Sequence, residues 1–183
     1  MFYLLLMMMG LSSALASTFY VGQISNSDAL IFVTETENSL LIYVCGGASD
    51  WATHTSWFSG ELESDNSFSI GGQDGLAISG QLEGKAAKGQ VNLANGTSFS
   101  WIAYEVLPDG PEGLFRFASE TEVAGFILGK NGENVGSIRL IKPAATVVLP
   151  LRLEAISDDG VLACYSFEGQ EICVDIPEFQ RIE

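Results

Sequence analysis

The chain has 183 residues and carries 23 acidic against 8 basic side chains, a net charge of −15. That balance argues against nucleic acid and anionic membrane surfaces as partners, because both attract a basic face. The length and the 47% hydrophobic content suit one domain, or one domain with an appendage, able to bury a real core.

Residues Phe2 to Met9 form an unbroken apolar run, followed by Gly10, Ser12, Ser13 and then Ala14-Leu15-Ala16 before Ser17. An apolar run ahead of a small-x-small triplet reads as a signal peptide over residues 1–16, although no Lys or Arg precedes the run. The run is too short to span a bilayer, which takes about 20 apolar residues. No later stretch reads as an integral membrane span. The sequence therefore predicts a secreted or periplasmic protein.

From Phe19 onward almost every segment reads as strand. Phe19 to Ile24, Ala29 to Glu35 and Leu40 to Cys45 are rich in β-branched and aromatic residues, with polar turns between them. Trp57 to Leu62, Ser67 to Gly71, Leu76 to Leu82, Ala86 to Leu93 and Ser98 to Val106 continue the series. Phe115 to Ser119, Val123 to Gly129 and Val135 to Ile141 extend it, and Thr146 to Ile156 and a 161–175 hairpin end it. Short strands at regular spacing predict an all-β fold, an antiparallel meander forming a small barrel or barrel-like sandwich. We expect about eight to ten barrel strands.

Gly-polar-aliphatic triplets recur at Gly22-Gln23-Ile24, Gly60-Glu61-Leu62, Gly80-Gln81-Leu82 and Gly89-Gln90-Val91. Residues i and i+2 share a strand face, so each glycine sits beside an aliphatic side chain. Glycine on the apolar face signals sharp coiling or close backbone approach, as a small barrel requires.

Three turns set registers. Ala94-Asn95-Gly96 as a three-residue loop pairs Val91 with Phe99 and Gly89 with Trp101. Asn131-Gly132 as a two-residue turn pairs Ile127 with Gly136 and Gly125 with Ile138. Glu168-Gly169 as a two-residue turn pairs Cys164 with Cys173 at a non-hydrogen-bonded position, where side chains come closest. We expect a disulfide there, leaving Cys45 as a buried strand cysteine. Lys142-Pro143 ends the glycine-rich region, so the sequence divides into a barrel domain over 17–142 and a C-terminal β extension over 143–183.

The connection from Gly46 to Trp57 is the most unusual segment. It holds Asp50, Trp51, His54 (the lone histidine) and Trp57, with hydroxyls among them. Aromatic faces beside short polar groups suit a sugar or a flat ligand at a barrel mouth. Trp51 and Trp57 would supply stacking area, and Asp50 and His54 would fix orientation. The competing reading is a loop that folds back and closes the barrel end. A Ser-His-Asp arrangement is formally available, but no G-x-S-x-G surrounds any serine. One histidine and three cysteines, two of them assigned to a bridge, exclude ordinary zinc patterns. No acidic turn matches a twelve-residue calcium loop. The sequence predicts no metal and no cofactor.

The ordered series Tyr20-x-Gly22, Tyr43-Val44-Cys45-Gly46, Trp57-Phe58-x-Gly60, Gly80-x-Leu82 and Gly89-x-Val91 resembles a loose group of uncharacterised bacterial exported proteins. The resemblance covers roughly residues 19 to 105 and implies an extracytoplasmic β-domain without an assigned activity. The expected function is non-catalytic binding or interaction at the cell envelope, with an envelope protein or a small ligand as partner. A small-ligand carrier using the barrel mouth, for a sugar or an apolar molecule, stands second, and a hydrolase third.

Overall fold

The computed structural model describes residues 17–47, 53–107, 112–141, 146–157 and 159–177. Fourteen strands occupy them in chain order. The first eight are β1 (Ser17–Ile24), β2 (Leu30–Thr36), β3 (Ser39–Cys45), β4 (Ser56–Glu61), β5 (Ser67–Gly71), β6 (Ala77–Glu83), β7 (Ala86–Asn92) and β8 (Ser98–Val106). The other six are β9 (Gly113–Ala118), β10 (Glu122–Leu128), β11 (Asn134–Ile141), β12 (Thr146–Ser157), β13 (Gly160–Phe167) and β14 (Gln170–Pro177). The fold is all-β, as the patterning predicts.

The first eight strands form one antiparallel sheet in the order β4-β3-β2-β1-β8-β7-β6-β5. The pairing of β1 with β8 rolls this meander into a nearly closed barrel, with β4 lying against β5 across the seam. The remaining strands form a six-stranded sheet, β14-β13-β12-β11-β10-β9, curled so that β14 approaches β9 into a half-barrel. Strand pairing thus runs through the 142/143 boundary drawn from the sequence: β12 pairs with β11, and the change of sheet falls between β8 and β9.

The glycine row explains the tight coiling. Trp101 lies opposite Gly89, Gly89 opposite Gly80 and Gly80 opposite Phe68. Neither glycine has a side chain, so the Trp101 indole extends across both and meets the Phe68 ring at 6.2 Å. A Cβ on Gly80 would lie 2.6 Å from the indole, and one on Gly89 would lie 1.9 Å from the Ser79 carbonyl oxygen. The barrel interior is therefore filled. Tyr20, Ile31, Val33, Ile42, Phe58, Ile78, Val91 and Trp101 are among its buried residues.

Apolar patterning differs between strands for a physical reason. β5 to β7 alternate, because one face meets the barrel core and the other meets solvent. β2, β3 and β10 are nearly continuous apolar runs. Ile31 and Val33 enter the barrel core while Leu30 and Phe32 face outward. Ala124, Phe126 and Leu128 enter the half-barrel core while Ile127 faces the barrel. Both faces of these strands are covered because the two sheets pack on each other there.

The turns test the predicted registers. Val91 lies opposite Phe99 and Gly89 opposite Trp101, with Gly96 left-handed, as the three-residue loop requires. Cys164 lies opposite Cys173 and the two are joined by a disulfide. In the loop-entropy picture that link contributes about 2–3 kcal/mol. The Asn131-Gly132 turn differs by one residue. Phe126, not Ile127, faces Gly136, and Gly125 faces Ser137. A two-residue type I′ turn needs two left-handed residues, and only Gly132 is left-handed here. Lys130, Asn131 and Gly132 therefore form a three-residue loop closed by the Gly129 amide on the Glu133 carbonyl.

Gly89→Val should lower the urea-derived stability by about 3 kcal/mol, because the nearest atoms are backbone and cannot move aside. Gly71→Ala, where an added methyl meets nothing within 4 Å, is the control and should change it by less than about 1 kcal/mol. Equal losses in the two variants would refute this account of the glycine row.

Candidate functional site

The two sheets meet at a third apolar cluster: Phe19, Val21, Leu30, Phe32, Tyr43 and Cys45 from the barrel, Leu114 and Ile127 from the half-barrel. Tyr43 is its polar anchor. Gly125 leaves room for the Tyr43 ring, and a Cβ there would sit 2.5 Å from it. The Tyr43 hydroxyl donates to the Gly125 carbonyl at 3.1 Å and lies 2.9 Å from the Ser137 hydroxyl. Burial holds its pKa well above the ordinary value. Burial likewise raises the Cys45 thiol, which is fully buried beside Tyr43, so it behaves as a core residue rather than a nucleophile.

Of the residues predicted from the 46–57 connection, His54 and Trp57 are described, and they pack in different places. Asp50 and Trp51 lie outside the described residues. The base of the connection is tied by the Gly46 amide, which donates to the Thr55 hydroxyl at 3.0 Å. His54 is buried. Its ring meets Phe99 edge-on at 4.9 Å, and Phe99 packs on the barrel core. Its Nδ1 lies 2.8 Å from the Thr53 hydroxyl, and its Nε2 has no hydrogen-bond partner among the described residues. Trp57 is on the other side of the sheet, because side chains alternate along β4: Ser56 and Phe58 are buried, whereas Trp57 packs against the inter-sheet cluster. Tyr43 stacks on Trp57 at 4.3 Å, and the Arg116 guanidinium lies 5.2 Å from its ring centre.

A different surface stands out. A groove of about 530 Å³ runs between the sheets along the outer face of β1 and β8. Gln23, Ile102, Tyr104, Val106 and Leu107 line its barrel side, and the 129–133 turn and Glu112 form the far wall. Ile102, Tyr104 and Leu107 are 42%, 58% and 75% exposed. Three large apolar residues side by side in one groove are a grouping, unlike apolar residues scattered singly over a surface. The wall is braced by its own hydrogen bonds. The Asn131 amide and side chain both donate to the Glu133 carboxylate, holding its pKa below the usual range.

The groove residues carried a signal in the sequence. β8 is apolar on both faces: Trp101 and Ala103 point inward, and Ile102, Tyr104 and Val106 point outward. Its neighbour β7 instead presents Lys88, Gln90 and Asn92 on the outer face. An outer apolar face on one strand of a meander needs a cover or a partner.

A grouping of metal-type ligands at Cys164, Glu171 and Cys173 has its two sulfurs joined to each other, so neither offers a thiolate. No protein-family model, curated protein or solved structure matches this chain.

The buried phenols and the buried thiol set an alkaline limit. Burial, followed by the nearby Glu35 charge, raises Tyr20 from 10.0 to about 12. Tyr43 and Cys45 are raised as well, chiefly by burial. Folded-state values above the unfolded ones mean full stability below the unfolded values, 9.0 for the thiol and 10.0 for the phenols, and loss above them. The urea midpoint should therefore fall as pH rises from 9.0 through about 12. Tyr43→Phe should make that fall shallower while costing about 1–2 kcal/mol at pH 7 through lost hydrogen bonds. A fall as steep as the native protein's would remove Tyr43 from the explanation.

Proposed function

We propose that this is a non-catalytic extracytoplasmic interaction module whose working surface is the Ile102–Tyr104–Leu107 groove. The carrying observation is that a filled barrel interior coexists with an open apolar groove on its outer face. A carrier using the barrel mouth needs a cavity where Phe58, Ile78 and Trp101 are packed. A hydrolase needs an imidazole open to substrate, and His54 is buried with its ring packed edge-on to Phe99. The partner is a protein of the envelope with an apolar contact surface. Nucleic acid is disfavoured by the charge of −15.

Export is supported by the Phe2 to Met9 run, the Ala14-Leu15-Ala16 triplet and a disulfide of a kind that persists in oxidising compartments. No helix among the described residues is long and apolar enough to cross a membrane. β1 begins at Ser17, so removal of residues 1–16 leaves every described strand intact. Intact-mass measurement of the exported protein should give a chain beginning at Ser17. A mature product retaining Met1 to Ala16 would refute cleavage.

The groove is tested by photo-crosslinking in exporting cells, with a benzophenone side chain placed at Tyr104, at Leu107 or at Thr97 on a distant turn. Discrete adducts to one protein from positions 104 and 107, lost on Ile102→Ser and absent from position 97, are expected. The same adducts from all three positions, or none from the groove, would overturn the assignment.

A further inference from the structure

On the β3–β4 side of the same inter-sheet interface lies a second cleft, of about 330 Å³. It is chemically unlike the groove. Its lining includes Trp57, Arg116, Arg139, Val123 and Ile141. We propose that this cleft binds a small monocarboxylate with an apolar body, its carboxylate held between Arg116 and Arg139. The proposal goes beyond the groove and does not depend on it.

The first argument is placement. The chain has only 8 basic residues, yet Arg116 and Arg139 both line this cleft. Arg116 lies opposite Gly125 on β10, and Arg139 lies opposite Val123. Residues 123 and 125 share a face, so both arginines stand on the side of the half-barrel that faces the barrel. They are on β9 and β11, which flank β10, with backbones roughly 12 Å apart, two strand spacings across and two residues along. Gly125 between them has no side chain, and Tyr43 fills its place from the other sheet.

The second argument is how each guanidinium is held. Arg116 has no carboxylate partner among the described residues, and its charge lies over the Trp57 ring at 5.2 Å. A cation–π contact occupies no N–H donor of the guanidinium with an acceptor oxygen, so its fork of donors remains for an oxyanion. Arg139 is partly used: it donates to the Gln73 side-chain oxygen and lies 3.5 Å from an Asp74 carboxylate oxygen. That turn supports its guanidinium through one hydrogen bond and one ion pair, both on the same nitrogen.

The charge balance selects the ligand. Asp74 offsets one of the two guanidinium charges, leaving a single positive charge for a guest. A monocarboxylate matches it. A phosphate dianion would bring excess charge beside Asp74 in a protein of net charge −15. Val123, Ile141 and the Trp57 edge supply an apolar wall for the ligand body, and Ile141 is 43% exposed where that body would lie. The planar carboxylate geometry fits the arginine fork better than a point charge would.

The test uses the mature protein at low ionic strength, where charge contacts are least screened. Benzoate, cyclohexanecarboxylate, benzamide and inorganic phosphate are titrated by calorimetry. At least one of the two carboxylates should bind, with benzamide and phosphate each weaker by at least about tenfold. Arg116→Gln and Arg139→Gln should each weaken the carboxylate by about tenfold, and Arg116→Lys should not restore it, because lysine lacks the fork. Arg116 is exposed, so its variants should keep the native urea midpoint. No heat from either carboxylate at about 10 mM would overturn the proposal, since even a weak charged contact reaches that range. Equal binding of benzamide and benzoate, tighter binding of phosphate, or native affinity in any of the three variants would also overturn it.

Discussion

The architecture depends on the passage of Tyr43 through the gap at Gly125. A large aromatic from the barrel takes the space of an absent side chain on the half-barrel. Its hydroxyl reaches the backbone of one strand and Ser137 of the next. Apolar packing around it is non-directional and would allow the sheets to slide. The hydroxyl bonds fix one relative position, because a buried phenol without partners would be costly. Both clefts follow from that position. They are the two margins where the curved sheets separate on either side of the packed cluster.

Glycines at 80 and 89 remove the side chains that would hold the coil open, and Trp101 occupies the space thereby made. Among the described residues the barrel interior is packed with side chains, and an open groove lies on its outside. The outer face of β1 and β8 and the facing half-barrel line that groove. Here the second sheet acts as a wall, converting a half-exposed apolar strand into one side of a groove.

Charge follows the same logic. An acidic protein remains dispersed through self-repulsion, and most of its carboxylates stand on turns and outer faces. Against that background two arginines at one inter-sheet margin define a local field of opposite sign. Trp57 contributes there as the surface on which Arg116 rests and as a stacking partner for Tyr43. It occupies a different place from the barrel-mouth platform that its neighbourhood to His54 suggests, because one step along a strand reverses the face.

Local physics was legible from the residues alone. Period-two patterning marked the strands, the Glu168-Gly169 turn placed Cys164 against Cys173, and the loop at Gly96 set the register that brings Gly89 under Trp101. These are short-range consequences of strand geometry and turn chemistry, so few residues suffice to determine them. The 129–133 turn was misread by one residue because Asn-Gly supports two loop lengths, and the choice rests on the conformation of Asn131. The packing of one sheet on the other was not legible, because nothing in the apolar runs of β2, β3 and β10 names the face that covers them. Which strands meet depends on contacts far apart in sequence, such as Tyr43 with Gly125 and Trp57 with Arg116. Strand type and register belonged to the sequence by itself. The pairing of faces, and with it both clefts, was decided only in the tertiary structure, because no local rule says which apolar face finds which.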